Sequence, residues 1–499
     1  MSNSLAHIAV CLNEPLGRIA PEIYSHFAEH LGSCVNEGIW VGTDSKIPHT
    51  GGIRNDIVAA LRRLRIPVLR WPGGCFADDY HWEDGTGPGK DRPRTVNLHW
   101  GQNVEDNQFG THEFIQLCRL IGAAPYLAGN VGSGAVRELR HWMEYCNFAG
   151  DSSLAKRRAG NGSPEPFKVR YWGVGNENWG CGGNFCPEDY AAEYKRYATY
   201  CREFGGTFPY LIACGPDGNN KDWTERFFKK LGSYRHIHGF AAHYYVNNRD
   251  GRYGTAMEFS TGQFYGLLSE ALGMEDLIVQ QRALLDQFDP QRMIGLLVDE
   301  WGAWHPADPG RNPAHLFQQN TMRDALVAAL TLNIFNRHPD KVVMANIAQV
   351  ANVLQAMVLT DGDRMLTTPT FSVFEMYQTH QGGQSVRVEA EGGMISFANG
   401  ENKQQLPRVS ASASILAGVM TLSIVNADAM LPLDVEIDLR GGSVIHADVS
   451  TLAGEDLHAH NTFEEPDRVT PTQTKIGTEH PWRIELPPAS VSVFKVSLR

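Results

Sequence analysis

Two glutamates lie where predicted β-strands end, and their surroundings suit acid–base chemistry. Glu177 ends the run Val-Arg-Tyr-Trp-Gly-Val-Gly-Asn-Glu, and Glu300 ends the run Ile-Gly-Leu-Leu-Val-Asp-Glu. In sheet enzymes, catalytic groups collect at the carboxyl ends of strands, where loops leave the packed core. One carboxyl group can donate a proton while the other acts as a nucleophile or a base. Glycoside hydrolysis is therefore the first hypothesis for this pair.

Each glutamate has neighbours that fit one of the two roles in a retaining mechanism. The acid/base must be protonated at rest, and Glu177 lies in an aromatic and glycine-rich turn, where the side chain of Asn176 can donate to a sugar hydroxyl. The nucleophile must be ionised, and Arg70 and Tyr245, each at the end of another predicted strand, are candidate donors to Glu300. The alternatives are a helix N-terminal or salt-bridged Glu177 and a structural ion pair at Glu300.

For four further side chains near these strand ends, the sequence distinguishes a role in the site from a structural role less clearly. Because side chains alternate along a strand, Asp299 is expected on the opposite side from Glu300, packed between sheet and helices. His243 is expected either to orient a carboxylate or to be a core histidine with satisfied hydrogen bonds. Trp100 and Trp304 are candidate platforms for the leaving group, although each is equally consistent with packing in the wall of the site.

The secondary-structure elements that position these residues follow one repeated pattern. A short apolar strand, a polar or glycine-rich exit and a helical stretch follow one another repeatedly. The predicted strands, exits included, are 23–30, 68–74, 125–130, 169–177, 211–217, 239–245, 294–301 and 342–349. Eight strand–helix units imply a closed (β/α)8 barrel. A doubly wound open sheet also alternates in this way, but the chain has no Gly-x-Gly-x-x-Gly phosphate loop.

After about residue 383 the helical spacing disappears and short strands with turn residues predict an all-β domain, a jelly-roll-like sandwich. The first strand-like segment, 6–12, has no helix after it and is expected to join the same sandwich. The expected division is a catalytic barrel over 18–375 and an accessory sandwich built from 1–17 and 376–499. The polar segment 399–408 is predicted to be an exposed loop.

Composition excludes several classes of function. The formal net charge of −12 argues against nucleic acid and acidic lipid, and favours a neutral substrate. The chain has no long apolar stretch for a membrane span, and its start has no basic region, so we expect no signal peptide and a cytoplasmic enzyme. Nine cysteines, an odd and scattered number, predict reduced thiols. Cys181 and Cys186 alone are weak evidence for zinc, so neither a metal nor a cofactor is expected.

Six segments resemble, in the same order, those of the α-L-arabinofuranosidases in family 51 of the glycoside hydrolases. They are Ile-Tyr-Ser-His-Phe-Ala-Glu-His-Leu-Gly (23–32), Arg-Trp-Pro-Gly-Gly-Cys-Phe-Ala-Asp (70–78), Gly-Val-Gly-Asn-Glu-Asn-Trp (173–179), His-Tyr-Tyr (243–245), Val-Asp-Glu-Trp (298–301) and Asn-Ile-Ala-Gln (346–349). The resemblance extends from the N-terminus to Phe-Glu-Met-Tyr (374–377), and the β-rich tail fits the C-terminal sandwich of that family.

The resemblance implies a retaining mechanism with Glu177 as acid/base and Glu300 as nucleophile. It implies support of the nucleophile by Arg70, and a homo-oligomer, often a hexamer. Sugar contacts carry over to Glu29, Asn176, Tyr245 and Gln349.

One position departs from part of the family. Some members have asparagine after Pro-Gly-Gly, where this chain has Cys75. A thiol is a weak donor, so Cys75 is expected to contact the sugar through its backbone N–H or by shape.

The sequence as a whole predicts an exo-acting, retaining hydrolase that releases terminal arabinofuranose from arabinoxylan or arabinan oligosaccharides. The alternative enzyme is a β-1,4-glycanase or β-xylosidase on the same barrel, because two glutamates set the chemistry and not the sugar. The alternative from another class is a sugar-binding protein without turnover.

Overall fold

The structure, a computed structural model, describes residues 5–499 apart from the side chain of residue 402. The opening Met-Ser-Asn-Ser, on which the signal-peptide prediction partly rests, lies outside the described residues.

A closed barrel of eight parallel strands holds the candidate site, and it confirms the predicted barrel with all eight strands in sequence order around it. The strands are Ser25–Phe27, Val68–Trp71, Ala124–Gly129, Tyr171–Val174, Tyr210–Asp217, Gly239–Asn247, Gly295–Trp304 and Val342–Ala348. Seven of them contribute one residue each to a buried layer inside the barrel: Val68, Tyr126, Tyr171, Ile212, Ala241, Leu297 and Met344. The barrel is therefore a packed core, and a site can form only at its end.

Amphipathic helices cover the outside of the barrel. The helix Thr111–Ile121 buries Phe114, Leu117 and Cys118 on one face and ends at Gly122, whose φ of 80° is the left-handed cap that glycine adopts without strain. The helices are Asn55–Leu64, Thr111–Ile121, Val136–Asn147, Ser153–Gly160, Pro187–Tyr200, Lys221–Leu231, Thr261–Phe288, Met322–Arg337 and Pro369–Tyr377. Short 3-10 turns occur at Pro21–Tyr24, Cys75–Asp78, Gly89–Asp91, Pro313–His315 and Gln378–His380.

The seventh barrel strand carries one extra residue close to the site. Ala242 pairs with Val298 and His243 pairs with Glu300, so Asp299 has no partner on the sixth strand. A bulge of this kind breaks the alternation of side chains and re-aims those beside it.

The all-β domain is one curled, nine-stranded sheet with its own hydrophobic core. In spatial order its strands are Thr472–Ile476, Val444–Leu452, Ser490–Leu498, Val419–Asn426, Val409–Leu416, Gln384–Glu391, Ala6–Arg18, Leu433–Arg440 and Trp482–Leu486. The first strand of the chain lies within this sheet, between Gln384–Glu391 and Leu433–Arg440, as the sequence predicted. The domain boundaries at residues 18 and 376 stay a prediction.

The prediction of a loop over residues 399–408 is wrong. This segment forms the turn and second strand of a hairpin in which Met394–Asn399 pairs with Asn402–Pro407. Gly400 follows the last residue of the first strand and has a φ of 61°, a left-handed conformation that glycine adopts without strain and that a tight hairpin turn uses. Three other two-stranded pairs occur: His49–Thr50 with Ile53–Arg54, Thr95–Val96 with Val104–Glu105, and Val358–Asp361 with Arg364–Thr367.

Among the residues that the structure describes, no helix combines the length and the apolar character that crossing a membrane requires.

Candidate active site

A cavity of about 400 Å³ opens at the carboxyl ends of the barrel strands. The predicted site residues that line it are Glu29, Cys75, Trp100, Glu177, Tyr245, Glu300, Trp304 and Gln349. The other two, Arg70 and Asn176, are buried directly beneath it. All of the predicted site residues therefore meet at one end of the barrel.

Glu300 is buried and held by two donors. The Arg70 guanidinium donates from Nη1 to Oε1 at 2.8 Å, and the Tyr245 hydroxyl donates to Oε2 at 2.9 Å. Burial raises the pKa of Glu300, but the charges of His243 and Arg70 and the bonds from the two donors outweigh it and leave that pKa lowered. This environment keeps the carboxylate ionised, as a nucleophile requires.

Glu177 lies in a different environment, with 18% of its side chain exposed. Burial raises its pKa, the charge of Glu300 adds to the effect, and the bond with His243 opposes it; the net pKa is raised. Two carboxyl groups whose surroundings push their pKa values apart are the arrangement that separates a proton donor from an ionised partner.

His243 joins the two glutamates. Its Nδ1 lies 2.9 Å from Oε1 of Glu177 and 3.6 Å from Oε2 of Glu300. Burial lowers the pKa of His243, but the charge of Glu300 and the bond with Glu177 reverse this and raise it. Of the two alternatives for His243, the structure supports the one in which it orients a carboxylate.

The backbone of the turn that carries Glu177 requires glycine. Gly175 has a φ of +85°, and a Cβ there would lie 2.2 Å from Oδ1 of Asn178. Glu177 itself has a φ of +41°, a left-handed conformation that is uncommon outside glycine and is found at functional turns. The turn therefore directs the Glu177 side chain into the cavity instead of along the strand.

Arg70 also fixes the side chain of Asn176. Its Nη2 donates to Oδ1 of Asn176 at 2.5 Å, which turns the amide nitrogen of Asn176 away from the guanidinium. Within the described part of the chain that buried nitrogen has no hydrogen-bond partner. An unpaired buried donor is costly, so it marks a place where a ligand acceptor fits.

Glu29 is another carboxyl group that lines the cavity, and it is buried. It accepts from the Trp100 indole at 3.0 Å, from the backbone N–H of Phe76 at 3.0 Å and from the Gln349 amide at 3.2 Å. Burial, followed by the charge of Glu300, raises the pKa of Glu29 to about 7. Trp100 and Gln349 thus shape the floor of the cavity through Glu29.

Trp304 stands at the mouth of the cavity. Its ring packs edge-on against Tyr245 with centroids 5.1 Å apart, and the Arg249 guanidinium lies 4.7 Å from the ring centre on another side. The sequence singles out the polar loop 246–253 after the sixth strand as a candidate part of the leaving-group subsite, but it does not single out Arg249 within that loop. A charged residue in a polar loop gives no sequence signal that separates a site residue from a solvated one.

The expectation of reduced thiols is wrong at the site. Cys75 is joined to Cys181 in a disulfide across 106 residues, and the other seven cysteines are free. The side chain of Cys75 is therefore not a thiol, and its expected contact with the sugar through the backbone N–H or by shape stays a prediction. Two cysteines that lie far apart in the sequence meet because the loops after the second and fourth strands converge at the same end of the barrel.

The expected position of Asp299 is also wrong. Because the bulge inserts this residue, its side chain points into the barrel, where it accepts from Tyr126 at 2.7 Å and from Asn346 at 2.6 Å and lies 3.5 Å from the Arg70 Nε. Asp299 therefore supports Arg70 from below instead of packing behind the strand.

Asp78 is a site-supporting residue that sequence reasoning did not single out. Its carboxyl group accepts the backbone N–H groups of Val131 at 2.6 Å, Gly132 at 2.9 Å and Asn176 at 2.7 Å. It therefore ties the loops after the second, third and fourth barrel strands together. Its only sequence signal was its place at the end of the Pro-Gly-Gly-Cys-Phe-Ala-Asp segment.

The separation of the two carboxylates bears on the reaction that they can perform. One carboxylate oxygen of Glu177, one carboxylate oxygen of Glu300 and a ring nitrogen of His243 all lie within 4.8 Å of one another. Retaining glycosidases hold their carboxyl groups about 5–5.5 Å apart, and inverting ones leave about 6.5–9.5 Å for a water molecule. An upper limit of 4.8 Å on one pair of carboxylate oxygens agrees with the shorter, retaining separation.

Comparisons with known proteins agree with this geometry. Family models described as the α-L-arabinofuranosidase 1 domain and the α-L-arabinofuranosidase C-terminal domain match residues 60–259 and 299–490. The chain is 44% identical to a protein of Bacteroides ovatus named an intracellular exo-α-L-arabinofuranosidase, over 92% of this chain and 88% of the relative.

Solved structures show the same likeness. The family 51 arabinofuranosidase of Xanthomonas axonopodis pv. citri superposes with a TM-score of 0.94 at 38% identity, covering 99% of both chains. An arabinose complex of the Thermotoga maritima α-L-arabinofuranosidase gives a TM-score of 0.85 at 32% identity, covering 99% of this chain and all of the other. The chain therefore belongs to family 51 of the glycoside hydrolases, the family of the α-L-arabinofuranosidases.

Proposed function

We propose that this glycoside hydrolase releases terminal, non-reducing α-L-arabinofuranose by double displacement, with retention of anomeric configuration. The observation that carries the proposal is the pair of carboxyl groups, which lie within 4.8 Å of each other in opposite electrostatic environments. The sugar is the one named for the relatives of this chain.

In the first step, the Glu300 carboxylate attacks the anomeric carbon and forms a glycosyl ester, while Glu177 protonates the departing glycosidic oxygen. Arg70 and Tyr245 hold the carboxylate in line for the attack. The Asn176 amide donates to the hydroxyl at C2, a bond that strengthens as positive charge develops on the sugar ring.

In the second step, Glu177, now a carboxylate, removes a proton from water, and that water attacks the anomeric carbon. The ester bond to Glu300 breaks, and arabinose leaves with its original configuration. His243 lies 2.9 Å from Glu177 and stabilises its anionic form during this half of the cycle.

The substrate is proposed to be a neutral arabinoxylan- or arabinan-derived oligosaccharide. The net charge of −12 favours an uncharged ligand, and a cavity of about 400 Å³ suits one sugar ring with part of the leaving group. Glu29, Gln349 and Trp100 are proposed to contact the arabinose. Trp304 is proposed to pack against the leaving group.

We also propose that the protein is cytoplasmic and that it forms a homo-oligomer, with a hexamer as one candidate form. The location is supported by the Bacteroides ovatus relative, which is named an intracellular enzyme. The oligomer rests on the family resemblance alone.

A panel of nitrophenyl glycosides tests the activity and the mechanism together. We expect hydrolysis of the α-L-arabinofuranoside, with the product appearing first in the retained configuration by proton NMR at early times. Selective hydrolysis of a β-xyloside or a β-glucoside would favour the alternative enzyme, and binding without turnover would favour a sugar-binding protein. First appearance of the inverted product would refute double displacement.

A further inference from the structure

The Cys75–Cys181 disulfide covers one oxygen of the proposed acid/base. Oε2 of Glu177 lies 3.7 Å from the sulfur of Cys75 and 3.5 Å from that of Cys181. The other oxygen, Oε1, is 2.9 Å from His243. The carboxyl group is therefore held between an imidazole on one side and a pair of bonded sulfur atoms on the other.

The same bond attaches the turn of Glu177 to a second loop. Cys181 follows Glu177 by four residues, in a turn where the carbonyl of Glu177 accepts from the backbone N–H groups of Gly180 at 2.7 Å and Gly182 at 3.2 Å. Cys75 belongs to the 3-10 turn after the second barrel strand, and the next residue, Phe76, donates its backbone N–H to Glu29. The disulfide thus links the acid/base turn to the element that holds the floor of the cavity.

We infer that the Cys75–Cys181 disulfide is a positioning device for acid/base catalysis, which fixes the Glu177 carboxyl group and keeps it free of donors on one side. The inference rests on the proposed role of Glu177. A bonded sulfur carries no hydrogen, so it cannot donate to a carboxylate and does not stabilise the charged form. The uncharged acid is favoured beside it, in the same direction as the burial that raises the pKa of Glu177.

Reduction of the disulfide replaces two sulfur atoms that cannot donate a hydrogen bond to Glu177 with two thiols that can. Two electrons and two protons turn the disulfide into two thiols, while a dithiol reductant is oxidised to its own disulfide. Each thiol is a weak donor within reach of Oε2, so the carboxylate is favoured and proton donation weakens. The turn also loses its covalent attachment to the second loop. The disulfides that do occur in reducing compartments are usually catalytic or redox-sensing, which agrees with a functional role for a bond beside Glu177.

The decisive experiment compares Cys181→Ala with Cys186→Ala, a control in the same loop at a free and exposed cysteine. Each variant is assayed on nitrophenyl arabinofuranoside, which needs little proton donation, and on an arabino-oligosaccharide, which needs it fully. We expect Cys181→Ala to lose about tenfold or more on the oligosaccharide and less than about threefold on the nitrophenyl substrate. The alkaline limb of its pH–rate profile should move to lower pH, and Cys186→Ala should match the wild type.

Reduction of the wild-type enzyme gives a second measurement that does not depend on a variant folding well. Treatment with a dithiol should reproduce the selective loss on the oligosaccharide and the pH shift, and should leave Cys181→Ala unchanged. Before treatment, alkylation of the denatured protein should label seven cysteines. Labelling of all nine, equal losses on both substrates or an unmoved pH profile would each overturn the inference.

The proposed function is tested separately through Glu177→Ala. If Glu177→Ala loses activity selectively on the oligosaccharide and Cys181→Ala does not, only the role of the disulfide fails. If Glu177→Ala loses activity equally on both substrates, the acid/base assignment fails, and the inference fails with it.

Discussion

Glu177 and Glu300 have the same side chain but lie in two different electrostatic environments. Glu300 accepts from Arg70 and Tyr245, and bonds from charged and aligned donors stabilise a carboxylate. Glu177 meets one ring nitrogen of His243, and burial raises its pKa. The contrast between these neighbours is what the proposed roles require, in which one carboxyl group gives a proton while the other attacks.

Replacing Glu177 by alanine should separate substrates by their leaving groups. A good leaving group departs without protonation, so kcat/KM for a dinitrophenyl arabinofuranoside should fall less than about tenfold, whereas natural arabinosides should lose about 10²–10⁴-fold. Azide should accelerate turnover and give an arabinosyl azide of retained configuration. Equal losses on both kinds of substrate, measured by steady-state kinetics, would contradict the assignment.

Replacing Glu300 by alanine should abolish hydrolysis of every substrate, because it removes the proposed nucleophile that forms the glycosyl ester. Azide should not restore a product of retained configuration, since the external nucleophile then attacks the sugar directly. NMR of the product distinguishes the two glutamates. A retained azide product from Glu300→Ala would mean that the roles are exchanged.

The pH dependence of kcat/KM follows from the same contrast. On the acid side activity falls as Glu300 gains a proton, and because its pKa is lowered this limb should lie below the ordinary range of a glutamate. On the alkaline side activity falls as Glu177 loses its proton, and because its pKa is raised this limb should lie above that range. With His243 between them, the apparent values belong to the coupled groups.

A matched variant tests the origin of the alkaline limb. Glu177→Gln removes the titrating proton but keeps the size of the side chain. On an activated substrate its profile should keep the acid limb and lose the alkaline one. An alkaline limb that persists in Glu177→Gln would have to be assigned to another group.

At the scale of elements, the site depends on loops from different strands being tied to one another. Asp78, in the turn after the second strand, binds backbone N–H groups of the third loop and of Asn176 in the fourth. The Cys75–Cys181 disulfide joins the second and fourth loops a short distance away. The position of Glu177 therefore depends on the loops after the second, third and fourth strands together.

Asp78→Ala should therefore reduce both stability and activity. Three backbone donors lose their acceptor in a buried place, and each unsatisfied group costs about 1–3 kcal/mol, so the protein should be destabilised by at least about 2 kcal/mol. Thermal unfolding measures the first effect, and kcat/KM on arabinofuranosides measures the second. Asp79→Ala, at the partly exposed neighbour, is the control and should change either quantity little. If Asp78→Ala kept the stability and kcat/KM of the wild type, Asp78 would not be what holds the three loops together.

At the scale of the whole molecule, the N-terminal strand Ala6–Arg18 joins the two ends of the chain. It pairs with Gln384–Glu391 on one side and with Leu433–Arg440 on the other, before the chain enters the barrel. Its alternate residues Ala6, Ile8 and Val10 belong to the core of the nine-stranded sheet. The all-β domain is therefore completed by the segment of chain farthest from it in sequence.

Ile8→Ala should destabilise that sheet by about 2–5 kcal/mol, because it removes buried methyl groups and leaves a cavity. His7→Ala is the matched control on the opposite face, where 55% of the side chain is exposed and a pair with Glu436 contributes little. Urea denaturation followed by tryptophan fluorescence compares the two. Equal midpoints for Ile8→Ala and His7→Ala would show that the first strand is dispensable to the sheet.

Much of the barrel was predictable because its signals are local. A strand of apolar residues, a glycine or polar exit and an amphipathic helix can be recognised within a short window, and the order of eight such units determines the closure. Glu177, Glu300, Arg70 and Tyr245 were found because each lies at or near the carboxyl end of a predicted strand. Short strands in the tail, such as Thr472–Ile476, were missed because they lie at sheet edges and have few apolar residues to mark them.

The sequence by itself determined the barrel, the all-β tail and the set of residues at the strand ends, since local periodicity and the chemistry of each residue type carry that information. Only the tertiary structure decided which of these residues touch. The disulfide joins residues 106 apart, His243 meets a glutamate 66 residues earlier, and a bulge turns Asp299 into the barrel. Such contacts depend on how the strands register when the barrel closes, and no short stretch of sequence encodes that register.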